Sequence, residues 1–574
     1  MLLVRRPLLN LRLKAEKISC IVYRRLGEAN ARTMTEQPYV SLTEGRATVL
    51  FPSENEVFYN PVQQFNRDLS ISVIKAWSAE YLQEKGSKRS QRKKQKTRKG
   101  QTDEEEKRAN SAEMANRPGN AEDQEGSAKI TILEALSATG LRAIRYALEI
   151  PNVNKVIAND FSPSAVEAIK RNIENNPGCE HVVVPSQGDA NAVMYAHKEQ
   201  PFHCIDLDPY GTAAPFVDAA VQSIASGGLL LVTCTDLSIL AGSGYPEKCF
   251  TNYGGMTCRS EFSHESALRL VLSMLSTSAG RYGRTIEPLL SLSIDFYVRL
   301  FIRVRTSPVQ AKLSSSKTMV TYTCSGCGAT SCQPLGRATP QPNNQMKFGF
   351  SQGPPIGSHC DYCGFVHHIG GPMWGGSLHN RSFIAKVQEV VRNLDERVYK
   401  TTPRIQGMLS LAAAEIDVPF YFTPSHLSGV IHSSCPPMAT YLSALLNAGY
   451  IASSTHALPG AIKTNAPWSF RWDVMREWLK ANPVVMKNIK DNTPAHALLR
   501  SLEPSHKIDL TIHPEADTIQ GTNRKSKLIR YQQNPLPNWG PKAKATGDRR
   551  STKFLKRDAP DHTKDDDVKH RKSE

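Results

Sequence analysis

Residues 129–145 read KITILEALSATGLRAIR, and residues 202–211 read FHCIDLDPYG. Each begins as a short apolar run, ends in an acid, and then meets small or turn-forming residues. Ile130-Thr131-Ile132-Leu133 is too short for a buried helix and rich in β-branched residues, so it is predicted to be a strand. Leu141 to Ile150 carries apolar residues at helical spacing, and the Ser137-Ala138-Thr139-Gly140 turn lies between the two. The second stretch repeats this plan, with a strand at Phe202 to Leu207 and a helix from Ala213 to Ala225.

The same alternation fills the interval. Lys155 to Ala158 and Val182 to Val184 are predicted strands, followed by helices at Pro163 to Asn175 and Asn191 to His197. Leu229 to Cys234 is a fifth strand. Strands alternating with helices specify a parallel, doubly wound, Rossmann-like α/β sheet, whose ligands bind beyond the carboxyl ends of the strands. Further strand-like runs occur at Leu289 to Ile294 and Val298 to Val304, after a long helical stretch from Ser263.

Those carboxyl ends carry the chemistry. The Glu134 to Arg142 loop can bring backbone N–H groups close to a ligand, although a small-residue turn can equally serve packing. Asn159-Asp160 ends the second strand about 20 residues beyond Gly140, where a carboxylate can bond both ribose hydroxyls of an adenosine. Gly188-Asp189-Ala190 ends the third, where a carboxylate can accept from the adenine amine. Either Asp alone could be a helix cap; together they fit a sulfonium cofactor with an adenosine half better than a nicotinamide dinucleotide, whose glycines are missing. At the fourth strand end, Asp208 with the carbonyl of Pro209 can accept hydrogens from an exocyclic amine, whose lone pair is otherwise drawn into its ring. Pro209 fixes the backbone, Tyr210 offers a stacking face, and Gly211 permits the tight turn.

Leu133 to Arg145, Asn159-Asp160-Phe161-Ser162 and Asp206 to Gly211 resemble the tRNA guanine-26 N2-dimethyltransferase family. So do Val57-Phe58-Tyr59-Asn60-Pro61, Asn66-Arg67-Asp68, Thr233-Cys234-Thr235-Asp236, Tyr253-Gly254-Gly255 and the region from Gln406 to Pro467. The resemblance covers most of Val49 to Lys480. It implies a class I methyltransferase fold and transfer of one or two methyl groups from S-adenosylmethionine to the N2 amine of a tRNA guanine. It further implies that Arg67, Arg142, Asp160, Asp189 and Ala190 contact the cofactor, that Asp208 is the catalytic carboxylate, and that Phe58 and Tyr210 sandwich an extruded guanine. The rivals are an amine methyltransferase acting on another RNA or on DNA, and a catalytically silent RNA-binding scaffold.

Cys324-Ser325-Gly326-Cys327 and Cys360-Asp361-Tyr362-Cys363 form two Cys-x-x-Cys knuckles, each followed by Gly and separated by 32 residues. Four thiolates suit structural Zn²⁺; Cys332 and His359 are weaker substitutes. Helices from Gln406 to Tyr450 and a run to Trp468 resembling the wing of a winged helix extend this region into an α+β, tRNA-binding domain over residues 306–480. His264, His367, His368 and His426 have no evident partner and read as structural or surface residues.

Lys plus Arg total 71 against 54 for Asp plus Glu, a formal charge of +17, which favours a polyanionic partner. Residues 39–305 form the expected methyltransferase domain, interrupted by a charged, loop-like insert at 83–128 in which nine of the fifteen residues Lys85–Lys99 are basic. A basic tail spans 522–574. No apolar stretch approaches the ~20 residues of a membrane span, and a monomer is expected. Residues 1–34, Leu-rich with Arg5, Arg6, Arg12 and Lys14 and no acid before Glu16, resemble a mitochondrial targeting segment. A second start at Met34 would omit it, which implies nuclear and mitochondrial pools with some protein in the cytoplasm.

Overall fold

The computed structural model describes residues 39–52, 59–107, 129–342, 345–500, 503–516, 519 and 529–531. Phe58, the targeting segment, most of the basic tail and residues 108–128 of the insert lie outside the described residues.

A seven-stranded sheet of order β5-β4-β3-β6-β7-β9-β8 organises residues 130–306. Its strands are β3 (Ile130–Glu134), β4 (Val153–Asp160), β5 (Val183–Gln187), β6 (Phe202–Leu207), β7 (Ile224–Cys234), β8 (Arg284–Ile294) and β9 (Tyr297–Thr306). The first five pair in parallel, as their crossover helices require. The last two form an antiparallel hairpin on the β7 edge, so the whole sheet is mixed. Both faces are covered. Leu133, Ile205, Leu207, Leu230, Val232, Leu300 and Ile302 therefore have almost no exposure, and these strands read as continuous apolar runs.

Helix α1 spans Gln64–Lys107, α2 Leu141–Glu149, α3 Pro163–Glu174, α4 Ala190–Ala196, α5 Val217–Ser223 and α6 Ser263–Gly280. Two departures from expectation stand out. The charge-rich stretch expected to be a loop continues α1 as far as Lys107, because Lys, Arg, Gln and Glu are strong helix formers and no proline interrupts residues 64–107. The helix expected at Ala213 to Ala225 is shorter: a 3-10 turn at Ala214–Phe216 precedes α5, and Ile224 and Ala225 already belong to β7.

A short hairpin, β1 (Tyr39–Glu44) and β2 (Ala47–Pro52), precedes α1. Its central backbone is held by side chains of α3 and the turn after it. Asn172 Oδ1 accepts from Leu50 N at 2.9 Å, and Asn176 Oδ1 accepts from Thr48 N at 2.8 Å while its amide donates to Thr48 O at 2.7 Å.

Beyond the sheet, a three-stranded antiparallel sheet joins Thr318–Cys324, Thr330–Pro334 and His367–Trp374. The helices Arg381–Arg392, Thr402–Ala414, Pro424–Val430 and Met438–Asn447 follow, then the paired strands Ala452–Ser454 and Ile462–Thr464 and the helix Trp468–Ala481. Gly449 turns this chain with φ 81°. No helix among the described residues is long and apolar enough to cross a membrane.

Candidate active site and candidate metal centre

The parallel strands bring three loops to one edge. After β3 the chain makes a left-handed turn, with Ala138 at φ 49° and Gly140 at φ 76°, before α2 begins. Asp160 closes the turn: its carboxylate accepts from Ala138 N and Ser162 N, each at 2.9 Å. Asn159 ties all three loops, donating to the carbonyls of Ala135 (3.1 Å) and Gly188 (3.0 Å) and accepting from Ser186 Oγ (3.0 Å). Asp189 is the N-cap of α4, accepting from Ala192 N at 3.0 Å, and is exposed, whereas Ala190 is buried. Phe161, 78 % exposed, flanks Asp160. Carboxylates that can accept from hydroxyls, small residues and an apolar ring lie together here, a lining of the kind that suits an adenosine-bearing ligand.

Strand β6 lies beside β3 with Asp206 opposite Glu134, so Asp208 emerges next to this turn. The Asp208 loop is locked onto the end of β7, with Gly211 N donating to Thr235 Oγ1 and Thr235 N to Gly211 O, both at 2.8 Å. Gly211 has φ 83°, a conformation that a side chain would strain. Tyr210 is 53 % exposed, and partial burial, with Asp208 and Asp160 nearby, pushes its phenol up to about 12. It stays neutral and can offer its ring face.

Beneath Asp208 lies a buried polar cluster. Arg142 pairs with Asp208, stands 3.5 Å from Asp206 and 3.7 Å from Glu134, and donates to Ser70 Oγ at 3.3 Å. Asp206 is held by Arg299 at 2.8 Å and by Tyr146 OH at 2.6 Å. Burial raises the Glu134 carboxyl to about 8 despite the Arg142 guanidinium. Burial would also raise Asp206, but Arg299 and Arg142 outweigh it and hold the carboxyl below its ordinary value. Arg67 forms an ion pair with Glu44, its Nε 2.6 Å from Oε1, and Nη2 donates to Asn60 O at 3.3 Å.

Glu134, Asp206, Ser70, Tyr146 and Arg299 were not singled out as site residues from the sequence. The Asp-x-Asp spacing of Asp206 and Asp208 was a usable signal, and so was Arg299 set in the apolar strand YVRLFIRV.

Cys324, Cys327, Cys360 and Cys363 are all buried, with their sulfurs within 4.8 Å of one another. Sγ–Sγ separations are 3.3 Å for Cys324–Cys363 and 3.6 Å for Cys327–Cys360. Tetrahedral zinc with Zn–S near 2.3 Å calls for about 3.8 Å, so the cradle fits. The two knuckles match: Gly328 N donates to Cys324 O at 3.1 Å and Gly364 N to Cys360 O at 2.8 Å, with both glycines at positive φ. Gly326 N also donates to Cys324 Sγ at 3.3 Å. At Gly328 a Cβ would lie 2.9 Å from His426 Nε2, so that histidine backs the knuckle. Cys332 lies on Thr330–Pro334 and His359 is exposed, bonded to Ser358; neither joins the cluster. His264, expected to lack a partner, has one: its Nδ1 is 3.1 Å from Ser293 Oγ.

A methyltransferase-type sheet with acids at its strand ends and an acid-Pro-aromatic loop beside them marks the class: an α/β methyltransferase acting on an amine. The family model described as N2,N2-dimethylguanosine tRNA methyltransferase matches residues 36–476, and the chain belongs to that family. It is 48% identical over 519 residues to the tRNA (guanine(26)-N(2))-dimethyltransferase of Schizosaccharomyces pombe, covering 88% of this chain and 92% of the relative. It is also 48% identical over 524 residues to the mitochondrial enzyme of that name from Saccharomyces cerevisiae, covering 87% and 91%. The solved structure of Trm1 from Pyrococcus horikoshii in complex with S-adenosyl-L-methionine is 25% identical, with a TM-score of 0.58, covering 76% of this chain and 99% of that one.

Proposed function

We propose that this protein transfers methyl groups from S-adenosylmethionine to the N2 amine of guanine 26 in tRNA, giving the mono- and then the dimethylated base. One observation carries the reading: Asp208 leaves β6 directly beside the β3 turn that Asp160 closes, so an amine acceptor and an adenosine site share one sheet edge. The family membership and the relatives' names support the substrate.

When bound, the cofactor supplies a methyl group activated on a sulfonium. Asp160, Asp189 and Ala190 would hold its adenosine half, and Arg67 and Arg142 are the basic residues that the family resemblance assigns to it. Asp208 accepts hydrogen bonds from the amine, which keeps electron density on N2, and takes up the proton that leaves as the N–C bond forms. Tyr210 stacks on the extruded base, with Phe58 as the second face. The four cysteines hold a structural Zn²⁺, and the helices and paired strands of residues 402–481 contact the tRNA. The basic residues 1–34, and the mitochondrial name of the Saccharomyces cerevisiae relative, support delivery of a Met1 form to mitochondria; a Met34 form would serve the nucleus and cytoplasm.

Labelled cofactor incubated with a tRNA transcript tests the reaction. Label should enter the transcript, and none should enter one whose target guanine is replaced. Asp208→Ala should lower transfer at least ~100-fold while calorimetry still detects cofactor binding. Normal turnover in that variant would remove Asp208 from the mechanism.

A further inference from the structure

The strand Thr330–Pro334 runs on into a separate two-stranded ribbon, in which Gly336–Pro340 pairs antiparallel with Met346–Phe350. A lone hairpin is marginal in water, and this one is fixed at both root and tip. Leu335 N donates to Thr318 O at 2.8 Å, Gln333 Nε2 to Gln352 O at 2.9 Å, and Gln341 N to Gln345 O at 2.8 Å. Gly336 is buried so closely that a Cβ there would lie 2.6 Å from Ser315 Oγ. Beyond this root the ribbon stands in solvent. Residues directly opposite share a face. Phe350 opposes Gly336 and Phe348 opposes Ala338, whereas Arg337 opposes Gly349 and Lys347 opposes Thr339. Strand alternation therefore puts both rings on one face and both cations on the other. Small cross-strand neighbours leave the rings uncovered: Phe348 is 38 % exposed and Phe350 93 %, the most exposed large apolar side chain among the described residues. The basic face is open too. A Cβ at Gly349 would meet nothing within 4 Å, and Arg337 and Lys347 are exposed, with no ion pair among the described residues.

We propose that this ribbon is an arm that holds the tRNA: an unstacked base lies on the Phe350 and Phe348 rings, and Arg337 and Lys347 pair with phosphates of the same strand. It rests on the reading of tRNA as the substrate and adds a contact surface to it. An apolar face by itself would suit a protein partner, but two observations favour RNA. The first is the pairing of ring and cation. An unpaired nucleotide presents one π-face and one anion, and aromatic side chains stack on any such base. Long basic side chains reach round a ribbon only two strands, about 5 Å, across. The second is charge. Residues 307–360 carry Lys312, Lys317, Arg337 and Lys347 and no Asp or Glu, so no acid of that stretch repels a phosphate backbone.

The full-length chain and an unmodified tRNA transcript decide it, with affinity read by fluorescence anisotropy across a series of salt concentrations. Phe348→Ala combined with Phe350→Ala should weaken binding about 5- to 100-fold and leave the salt dependence as in the parent, because no charge is lost. Arg337→Gln combined with Lys347→Gln should flatten the slope of log affinity against log salt by about 1.5, as expected for two phosphate contacts. Phe350→Tyr keeps a stacking face and should bind within about twofold of the parent. All these side chains are exposed, so each variant should melt like the parent. The proposal is overturned if the double phenylalanine variant binds tRNA like the parent, which would leave the apolar face to a protein partner. It is overturned equally if Phe350→Tyr loses as much affinity as Phe350→Ala, if the salt slope stays unchanged without Arg337 and Lys347, or if removing the rings lowers the melting temperature, since the rings would then pack against the chain. Failure of the functional reading shows elsewhere, as a parent that puts no label into the transcript. The affinity comparisons still decide the arm in that case, because they need binding and not turnover.

Discussion

Glu134 shows how burial sets the state of a single carboxyl. It ends β3 with 4 % exposure, accepts from Ala143 N at 3.0 Å, and is raised from an ordinary value of 4.5 to about 8 by burial. An acid whose folded value is raised binds more protons folded than unfolded between those two values. Its contribution to stability is therefore fully present below pH 4.5 and is lost as pH rises toward 8. Glu134→Gln preserves the acceptor and removes the titration. The melting temperature of the variant relative to the parent should rise steadily from pH 5 to pH 8.5; a difference that stays flat across that range would show that Glu134 is ionised throughout.

Two elements depend on side chains rather than on their own propensities. The β1–β2 hairpin is too small to be stable alone, and its backbone between Thr48 and Leu50 is satisfied by Asn172 and Asn176. Asn176→Ala removes the side-chain acceptor of Thr48 N and leaves Thr48 O with Asn175 Nδ2 at 3.1 Å. It should cost about 1–3 kcal/mol in urea unfolding, and Asn172→Ala, which loses Leu50 N and Thr139 O, should cost a similar amount. The second element is the pair of cysteine knuckles. Its turns close on themselves, and in the proposed zinc site the metal would hold the four sulfurs at their observed spacing. Chelation, or Cys360→Ser, should release about one equivalent of zinc and lower the melting temperature while leaving cofactor affinity intact. A preparation free of metal that melts like the parent would contradict the assignment.

The largest interdependence runs between the sheet and the helices after it. Lys463, 2 % exposed, lies 3.3 Å from Glu265 of α6 and 3.4 Å from Glu415. His456 Nδ1 bonds Glu415, and its Nε2 accepts from Ser293 N of β8 at 3.1 Å. Burial would raise the Glu415 carboxyl, but His456 and Lys463 outweigh it and hold it well below its ordinary value. His379, Glu415 and His456 have the spacing of a metal set, yet the Lys463 ammonium beside Glu415 already supplies the cation. Removing it leaves Glu415 beside Glu265, which keeps only its own pair with Arg269 at 2.7 Å. Lys463→Met should therefore destabilise the chain by about 3–5 kcal/mol, read as a lower urea midpoint, and Glu415→Gln added to it should recover part of the loss. Additive loss in the double variant would mean that the two residues are not coupled.

Local pattern alone determined the alternation of β3 to β7 with their helices, the placing of Asp160, Asp189 and Asp208 at strand ends, and the pairing of the cysteines as knuckles. In each case the information lies within a few adjacent residues: a β-branched run, a turn residue, a fixed Cys spacing. The extension of α1 to Lys107 was obscured because solvated charge and helix-forming charge have the same composition. The contacts of Arg142, Arg299, Ser70 and Asp206 were not legible, because they unite residues from α1, α2, β6 and β9 that are as far as 229 positions apart. Only the closed sheet brings Arg299, one of three arginines on β9, to a particular carboxylate. Only there does burial raise Glu134 while Arg299 and Arg142 hold its neighbour Asp206 down. What the sequence determined was the chemistry available at the strand ends; the tertiary structure decided which buried acids and arginines surround it.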